Sequence, residues 1–337
     1  MHILITDKHY PGTIQLEQDT AGPEATFDVF ARGEDVTDEA WASADAIITS
    51  RCTPLVTAKM EALSRCRLIV RNGVGFDGLD LVGFGERGIA VCNVPDYGTT
   101  EVADHALALM LALRRGIVSY NDGIREDATA NWHYSRGICV DRLRGARFGV
   151  VGLGRIGMAA ARRAKAFDQS VAFYDPHVPP GTDLATGLEQ VSSLEELFSS
   201  CDAISLHTPL TDTTRALINS ESLSWLKPGA IIINTSRGPV VDIDAVFDAL
   251  KAGTLAGAAL DVLPNEPPED HPLIRAFCAR EPWIDGRLIL SPHSAFYSIP
   301  GQSDLRRKGV ETIVSYLGDG ELRNCVNLAE LRHNQTR

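Results

Sequence analysis

Short apolar runs alternate along the chain with stretches in which apolar residues recur at helical spacing, and the alternation begins at the first residues. Residues 3–6, 46–49, 68–71 and 89–93 read as strands, with helical patterns over 57–64 and 79–86 between some of them. A second, stronger series of strands follows at 148–152, 171–175, 203–207, 230–235, 258–262 and 288–291, with helical patterns over 155–167, 193–198 and 244–251. Alternation of this kind predicts parallel sheets wound by crossover helices. The second series has the strand count of a six-strand doubly wound sheet. Between the two series, residues 99–118 place Val102, Ala103, residues 106–113 and Ile117 all round a helix, which predicts burial on every side. Glu101 and Asp104 in its first turn and Arg114 and Arg115 near its end follow the order the helix dipole favours. Such a helix suits a hinge between domains or the centre of a dimer interface.

A last helical pattern, over 305–320, comes after the second sheet is complete, so its natural place is on the first domain. The expected organisation is therefore discontinuous: residues 1–97 and 298–337 form the first domain, and residues 98–297 form the second. The fold class is α/β, with two doubly wound parallel-sheet domains.

Composition narrows the partners. The 337 residues are 44% hydrophobic and 23% charged, enough to bury about two domain cores. Lys plus Arg total 32 against 44 Asp plus Glu, a net charge of −12, which offers no electrostatic footprint for nucleic acid or an anionic membrane. The longest apolar run, residues 106–113, is well short of the roughly 20 residues that span a bilayer. The N-terminus lacks the basic start of a signal peptide, and a cytoplasmic location is expected. Seven scattered cysteines without a CxxC pair are read as reduced thiols, mostly in the core. The histidines show no HExxH or paired-His spacing, and Glu269-Asp270-His271 is too local to close a metal site, so no metal is expected. A small-molecule partner is the remaining class.

The sharpest motif is Gly152-Leu153-Gly154-Arg155-Ile156-Gly157, which follows the apolar strand Phe148-Gly149-Val150-Val151 and opens an Ala/Arg-rich helix. The glycines permit a tight turn, close approach of backbone to a pyrophosphate and packing of helix on strand, while the helix N-terminus offers free N–H groups to the anion. Alone, GxGxxG is a weak signal. Here the strand, the helix and the acid Asp175 after the next strand stand where a dinucleotide site needs them. Asp175 can accept hydrogen bonds from the adenosine ribose hydroxyls, and its charge disfavours a 2′-phosphate, so NAD(H) is expected over NADP(H). Arg155, in the first helical turn, can reach the pyrophosphate.

Three polar residues follow three late strands of the same sheet: Arg237, Glu266 and His293. Ligands in such folds bind at the carboxyl ends of the strands, which brings these distant residues toward one crevice.

At this point the chain resembles the D-isomer-specific 2-hydroxyacid dehydrogenase family over nearly its whole length. The resemblance rests on Asn234-Thr235-Ser236-Arg237-Gly238-Pro239-Val240-Val241-Asp242, on Gly257-Ala258-Ala259-Leu260-Asp261-Val262 through Glu266-Pro267, and on Ser291-Pro292-His293-Ser294-Ala295. Within the family, Arg71-Asn72-Gly73-Val74-Gly75-Phe76-Asp77, Val91-Cys92-Asn93-Val94-Pro95 and Phe296-Tyr297-Ser298 are most similar to the branch of C-terminal-binding-protein corepressors and their bacterial relatives. The resemblance implies a flavodoxin-like substrate domain over residues 1–97 and 298–337, a Rossmann nucleotide domain over 98–297 and a cleft between them, in an NAD(H)-dependent oxidoreductase that interconverts a 2-oxo acid and a D-2-hydroxy acid and works as a homodimer through the nucleotide domain. The alternative from the same branch is an NAD(H)-sensing, corepressor-like binding protein with little turnover.

The residue roles it implies agree with their chemistry. Arg237 has a planar fork for the carboxylate and carbonyl of a 2-oxo acid. His293 is the general acid that protonates the carbonyl oxygen, and the base in reverse. Glu266 accepts from the imidazole and favours its charged form. The amides near Val74 and Gly75 bind the substrate carboxylate, with Arg71 as a second positive group. Thr208, Leu210, Thr214, Thr235 and Ser236 line the cofactor, and Asp261 meets the nicotinamide end. Two departures stand out: Phe296 replaces the Trp of the corepressor branch and faces the substrate side chain, and the segment 267–287 is long, which predicts an added loop near the mouth of the site.

Overall fold

The computed structural model describes residues 1–335. The chain divides into two compact units, one of Met1–Gly98 with the chain from Ser298 onward, the other of Thr99–Tyr297.

The first unit contains β1 (His2–Ile5), β2 (Thr26–Val29), β3 (Ala46–Thr49), β4 (Leu68–Arg71) and β5 (Ala90–Asn93). All pairings are parallel, in the order β2-β1-β3-β4-β5 of a flavodoxin-like sheet. Leu4, Ile47, Ile69 and Val91 pack with Trp41, Val56 and Phe84 into a core on one face. The periodicity predicts four of these strands. The fifth, β2, escapes it: the strand lies at the edge, half exposed, with Asp28 in its middle, and lacks the apolar run of a strand buried on both faces. Helix Ile299–Val314 belongs to this unit: Ser298 caps it by accepting from Gly301 N at 2.9 Å, and Arg306 pairs with the buried Glu17 of helix Gln15–Ala21 at 2.6 Å.

The second unit holds β6 (Arg147–Val151), β7 (Ser170–Tyr174), β8 (Glu189–Gln190), β9 (Ala203–Leu206), β10 (Ile231–Asn234), β11 (Gly257–Leu260) and β12 (Leu288–Leu290). The order β12-β11-β10-β9-β6-β7-β8 is a Rossmann sheet extended by one strand, again wholly parallel. The predicted six strands are present, and β8 makes a seventh. It is two exposed residues at the sheet edge, too short to show a period.

The helix after the first unit differs from expectation. It runs Thr99–Arg114, breaks at Gly116 in the left-handed conformation, and restarts as Ile117–Glu126. One face is buried, with Ala103, Ala106, Leu107, Met110 and Leu113 packed in the core. Thr100, Asp104, Ala108 and Arg115 remain exposed at intervals of four, four and seven, along one side of the helix, so burial on every side is not met within one chain. The segment 267–287 is also corrected: helix Pro272–Cys278 buries Leu273 and Ala276 in the core, and Trp283 stacks edge-on against Phe247 at 5.3 Å. It is a packed part of the unit, not a loose loop.

Candidate active site at the carboxyl edge of the second sheet

Parallel register levels the strand ends of the second unit. Tyr174 pairs with Val151, Val151 with Leu206, Leu206 with Asn234, Asn234 with Leu260, and Leu260 with Leu290. The next residue on each strand therefore lies in one row: Asp175, Gly152, His207, Thr235, Asp261 and Ser291. Every candidate of this unit stands in that row or on the turns leaving it.

At one end of the row the chain turns at Gly152, whose φ of 88° excludes ordinary side chains and where a Cβ would sit 2.8 Å from the His207 carbonyl oxygen. Gly157 packs its helix down on the strand so closely that a Cβ would lie 2.0 Å from the Gly152 oxygen. Gly154 is different: nothing stands within 4 Å of the position a Cβ would take, and as N-cap of helix Arg155–Ala166 it supplies no side chain to the helix amides. Arg155 is exposed and Ile156 half-buried at the start of that helix. The Asp175 carboxylate accepts from Leu153 N and from His177 N, both at 2.8 Å, which ties it to the glycine turn. Each oxygen keeps lone-pair capacity for a further donor.

Thr208 and Thr235 carry buried hydroxyls that find no hydrogen-bond partner among the described residues. Buried hydroxyls of this kind are rare unless a ligand or water completes them. Together with the uncapped helix start and the open space at Gly154, they fit a dinucleotide with its pyrophosphate at the helix and polar groups along the row. Other expected lining residues are engaged locally. Thr214 Oγ1 donates to Pro209 O at 2.6 Å and accepts from Thr211 N at 2.8 Å, closing its own loop. Leu210 packs on the core, and Ser236 donates from N and Oγ to Asn234 Oδ1 at 2.9 and 2.7 Å.

Farther along the row, Arg237 leaves β10 in extended backbone, with Nη1 donating to Ser236 O at 2.7 Å and its own carbonyl accepting from Asn234 Nδ2 at 2.9 Å. The buried Asn234 amide thus holds the whole turn. Gly238 follows because a Cβ there would lie 1.9 Å from the Leu263 oxygen, so the Arg237 turn rests directly on the backbone of the loop that carries Glu266. Glu266 Oε1 accepts from Leu263 N at 3.0 Å, and Oε2 accepts from His293 Nδ1 at 2.6 Å. With Nδ1 so occupied, Nε2 of His293 is the nitrogen left to carry a proton. Phe296 stands edge-on to the imidazole, ring centres 6.1 Å apart.

His293 has a φ of 51°, uncommon for a residue with a side chain. Its turn is held by Asp261, 2% exposed, whose Oδ1 accepts from Ser291 Oγ at 2.6 Å and Ser294 N at 2.9 Å, and whose Oδ2 accepts from Ala295 N at 3.0 Å. The Asp261 carbonyl takes His293 N at 2.8 Å. His105, on helix Thr99–Arg114, reaches Ser291 Oγ with Nε2 at 3.0 Å. The sequence does not single out His105: a histidine in an apolar helix is the local signal, and its partner Ser291 lies 186 residues away.

The first unit, taken by itself, folds Arg71 back at the end of β4, Nη1 donating to Asn72 O at 2.9 Å. A Cβ on Gly73 would sit 1.2 Å from that nitrogen. Val74 O accepts from Asn93 Nδ2 at 2.6 Å, while the amides of Val74 and Gly75 donate to no acceptor among the described residues.

Residues 107–295 match the family model described as D-isomer specific 2-hydroxyacid dehydrogenase, NAD binding domain. The chain belongs to this family of NAD-dependent oxidoreductases. It is 36% identical over 274 residues to a glyoxylate reductase of Korarchaeum cryptofilum, covering 81% of this chain and 79% of that protein. It is 38% identical over 231 residues to a D-3-phosphoglycerate dehydrogenase of Methanocaldococcus jannaschii, covering 68% of this chain but only 43% of that longer protein. A crystal structure of D-lactate dehydrogenase from Aquifex aeolicus, complexed with NAD and lactic acid, superposes with a TM-score of 0.82 at 26% identity over 99% of this chain and 98% of that one. Dehydrogenases and reductases of this family interconvert 2-oxo and 2-hydroxy acids. Among the described residues no helix of the chain is long and apolar enough to cross a membrane.

Proposed function

We propose that this chain reduces a 2-oxo acid to the D-2-hydroxy acid, and the reverse, with Arg237, Glu266 and His293 as the catalytic set. Arg237 holds the carboxylate and carbonyl oxygen through its fork. His293 gives the Nε2 proton to the carbonyl oxygen as it gains negative charge, and takes it back during oxidation. Glu266 keeps Nδ1 as the donor and stabilises the imidazolium. NADH, when held at the glycine turn, would supply a hydride to the carbonyl carbon, and NAD⁺ would take it from the alcohol carbon in the reverse direction. The observation that carries this reading is the 2.6 Å bond from His293 to Glu266 on a loop that also supports the Arg237 turn.

Gly152, Gly154, Arg155, Ile156, Gly157, Asp175, Thr208 and Thr235 are assigned to the dinucleotide, with Leu210, Thr214, Ser236 and Asp261 shaping the loops behind them. Asp175 favours NADH over NADPH. Arg71 and the amides of Val74 and Gly75 are assigned to the substrate carboxylate, and Phe296 to the substrate side chain. A homodimer through the second unit is supported by the exposure of Ile117 (56%), Trp132 (75%) and Tyr134 (83%), large apolar side chains on helix Ile117–Glu126 and the segment that follows it. The seven free cysteines support a cytoplasmic location.

The test is turnover of a panel of 2-oxo acids with NADH and with NADPH, together with the mass of the protein in solution. D-product formation with higher efficiency on NADH is expected. Absence of turnover on every 2-oxo acid with either nucleotide sinks the enzymatic reading; equal use of both sinks the role of Asp175, and a monomer sinks the dimer.

A further inference from the structure

The free edge of β5 carries a second chain segment. Cys92 on β5 and Cys325 face each other in an antiparallel bridge. Asn93 N donates to Asn324 O at 3.2 Å and Val326 N to Val91 O at 2.8 Å. These bonds flank the two cysteines without joining them, which makes this the non-hydrogen-bonded kind of pair. Such pairs bring opposed Cα atoms to about 4.5 Å with side chains at their closest. A disulfide spans Cα separations of roughly 4.4–6.8 Å, so this register admits one without disturbing the ladder. We propose that Cys325 is a thiol oxidation site, with buried Cys92 as its resolving partner and a Cys92–Cys325 disulfide as the product.

The surroundings single out this thiol. Cys325 is half-buried and reachable, whereas Cys92 is fully buried. As a thiol, Cys325 donates to Asn327 Oδ1 at 3.3 Å. Once deprotonated, it accepts from the Cys92 thiol, and that bond holds its pKa down at about 7 while raising that of Cys92. The other thiols with a displaced pKa move the opposite way: burial pushes Cys52 up to about 11 and Cys66 up to about 12, and raises Cys139 and Cys201. The thiolate is the form that reacts with oxidants, so Cys325 leads at neutral pH.

The segment is already seated on β5 in the reduced protein. Val91 N donates to Asn327 Oδ1 at 2.8 Å, and Asn327 Nδ2 donates to Ile89 O at 3.0 Å. Helix Leu328–Gln335 lies so close to helix Leu81–Glu86 that a Cβ on Gly85 would sit 2.4 Å from Glu330 Cβ. Oxidation would turn this non-covalent strap into a covalent one.

With hydrogen peroxide as oxidant, the Cys325 thiolate attacks one oxygen, an S–O bond forms, the O–O bond breaks, and the departing hydroxide takes a proton to become water. The Cys92 sulfur then displaces the hydroxyl from the sulfenic acid: S–S forms, S–O breaks, and the leaving hydroxide departs as water with the Cys92 proton. Two thiols and one peroxide give one disulfide and two waters.

The experiment treats the reduced full-length protein with hydrogen peroxide at pH 7, blocks remaining thiols and maps unreduced peptides by mass spectrometry. The Cys92 peptide should be joined to the Cys325 peptide, two hydrogens lighter than the free pair, and dithiothreitol should separate them. Cys92→Val should leave Cys325 as a dimedone-trappable sulfenic acid, and Cys325→Ser should leave Cys92 unreacted. The rate of Cys325 alkylation should rise with pH about a midpoint near 7 in the parent and at least one pH unit higher in Cys92→Val. Oxidation of exposed Cys278 ahead of Cys325, or of Cys325 without a bond to Cys92 in the parent protein, overturns the proposal. The parent mapping stands even if a variant fails to fold.

Discussion

Arg237 and His293 each stand on a turn held by a buried side chain. The Asn234 amide accepts from Ser236 and donates to Arg237 O, and the Asp261 carboxylate gathers Ser291, Ser294 and Ala295 beneath His293. The second anchor offsets the cost of a non-glycine residue in the left-handed region, about 1–3 kcal/mol. With its guanidinium tied to Ser236 O at 2.7 Å, Arg237 is preorganised for a planar anion. Arg237→Ala should lose charge-assisted hydrogen bonds of about 1.5–3 kcal/mol, roughly 10- to 150-fold in kcat/KM, with the NADH dissociation constant almost unchanged. Arg237→Lys should not restore the rate, because an ammonium has no fork. Steady-state kinetics with the best 2-oxo acid and NADH titration by fluorescence decide it; weaker NADH binding at unchanged KM would move Arg237 to the cofactor.

At the level of elements, glycines in the candidate site do two different jobs. Gly157 and Gly238 let backbones touch, whereas Gly154 faces open space. Gly238→Ala drives a methyl to 1.9 Å from the Leu263 oxygen, so the turn of Arg237 and the loop of Glu266 must part. Overpacking of this kind costs about 1–3 kcal/mol of stability, and a displacement of about 1 Å between catalytic groups can cost on the order of 10² in kcat. Gly154→Ala meets no protein atom, so its melting temperature should match the parent while NADH binding weakens. Paired thermal melts and NADH titrations of the two variants separate the roles. Two variants with the same thermal loss would contradict this division.

Over the whole molecule, stability should depend on pH through a group outside the catalytic set. His207 follows β9 in the sheet-edge row, accepts its partner Ser205 Oγ at Nε2 within 2.9 Å, and is pushed by burial to a pKa of about 4. The unfolded chain binds a proton there near pH 6.5, so it takes up protons that the folded chain refuses. Stability is full above pH 6.5 and lost as pH falls toward 4, at about 1.4 kcal/mol per unit, or roughly 2 kcal/mol by pH 5. His207→Gln should flatten that slope by about one proton in urea unfolding between pH 7 and 5. Parallel slopes for parent and variant would assign the pH dependence elsewhere.

Sequence alone determined whatever depends on near neighbours. Strands β3, β4, β5 and β9–β11 are buried along most or all of their length, so they announce themselves as apolar runs, and the Gly152–Gly157 turn carries its strand, helix and acid within one βαβ unit. The edge strands β2 and β8 left no such mark because water covers what a buried strand would fill with Ile or Val. Tertiary structure decided the rest. Only parallel register puts Asp175, Gly152, Thr235 and Asp261 in one row, and only folding leaves the Thr208 and Thr235 hydroxyls buried without a partner. The His105–Ser291–Asp261 linkage and the Cys92–Cys325 pair join residues from distant parts of the chain. Local periodicity cannot encode such pairs, because each member is ordinary in its own segment and acquires its chemistry from the neighbour that packing supplies.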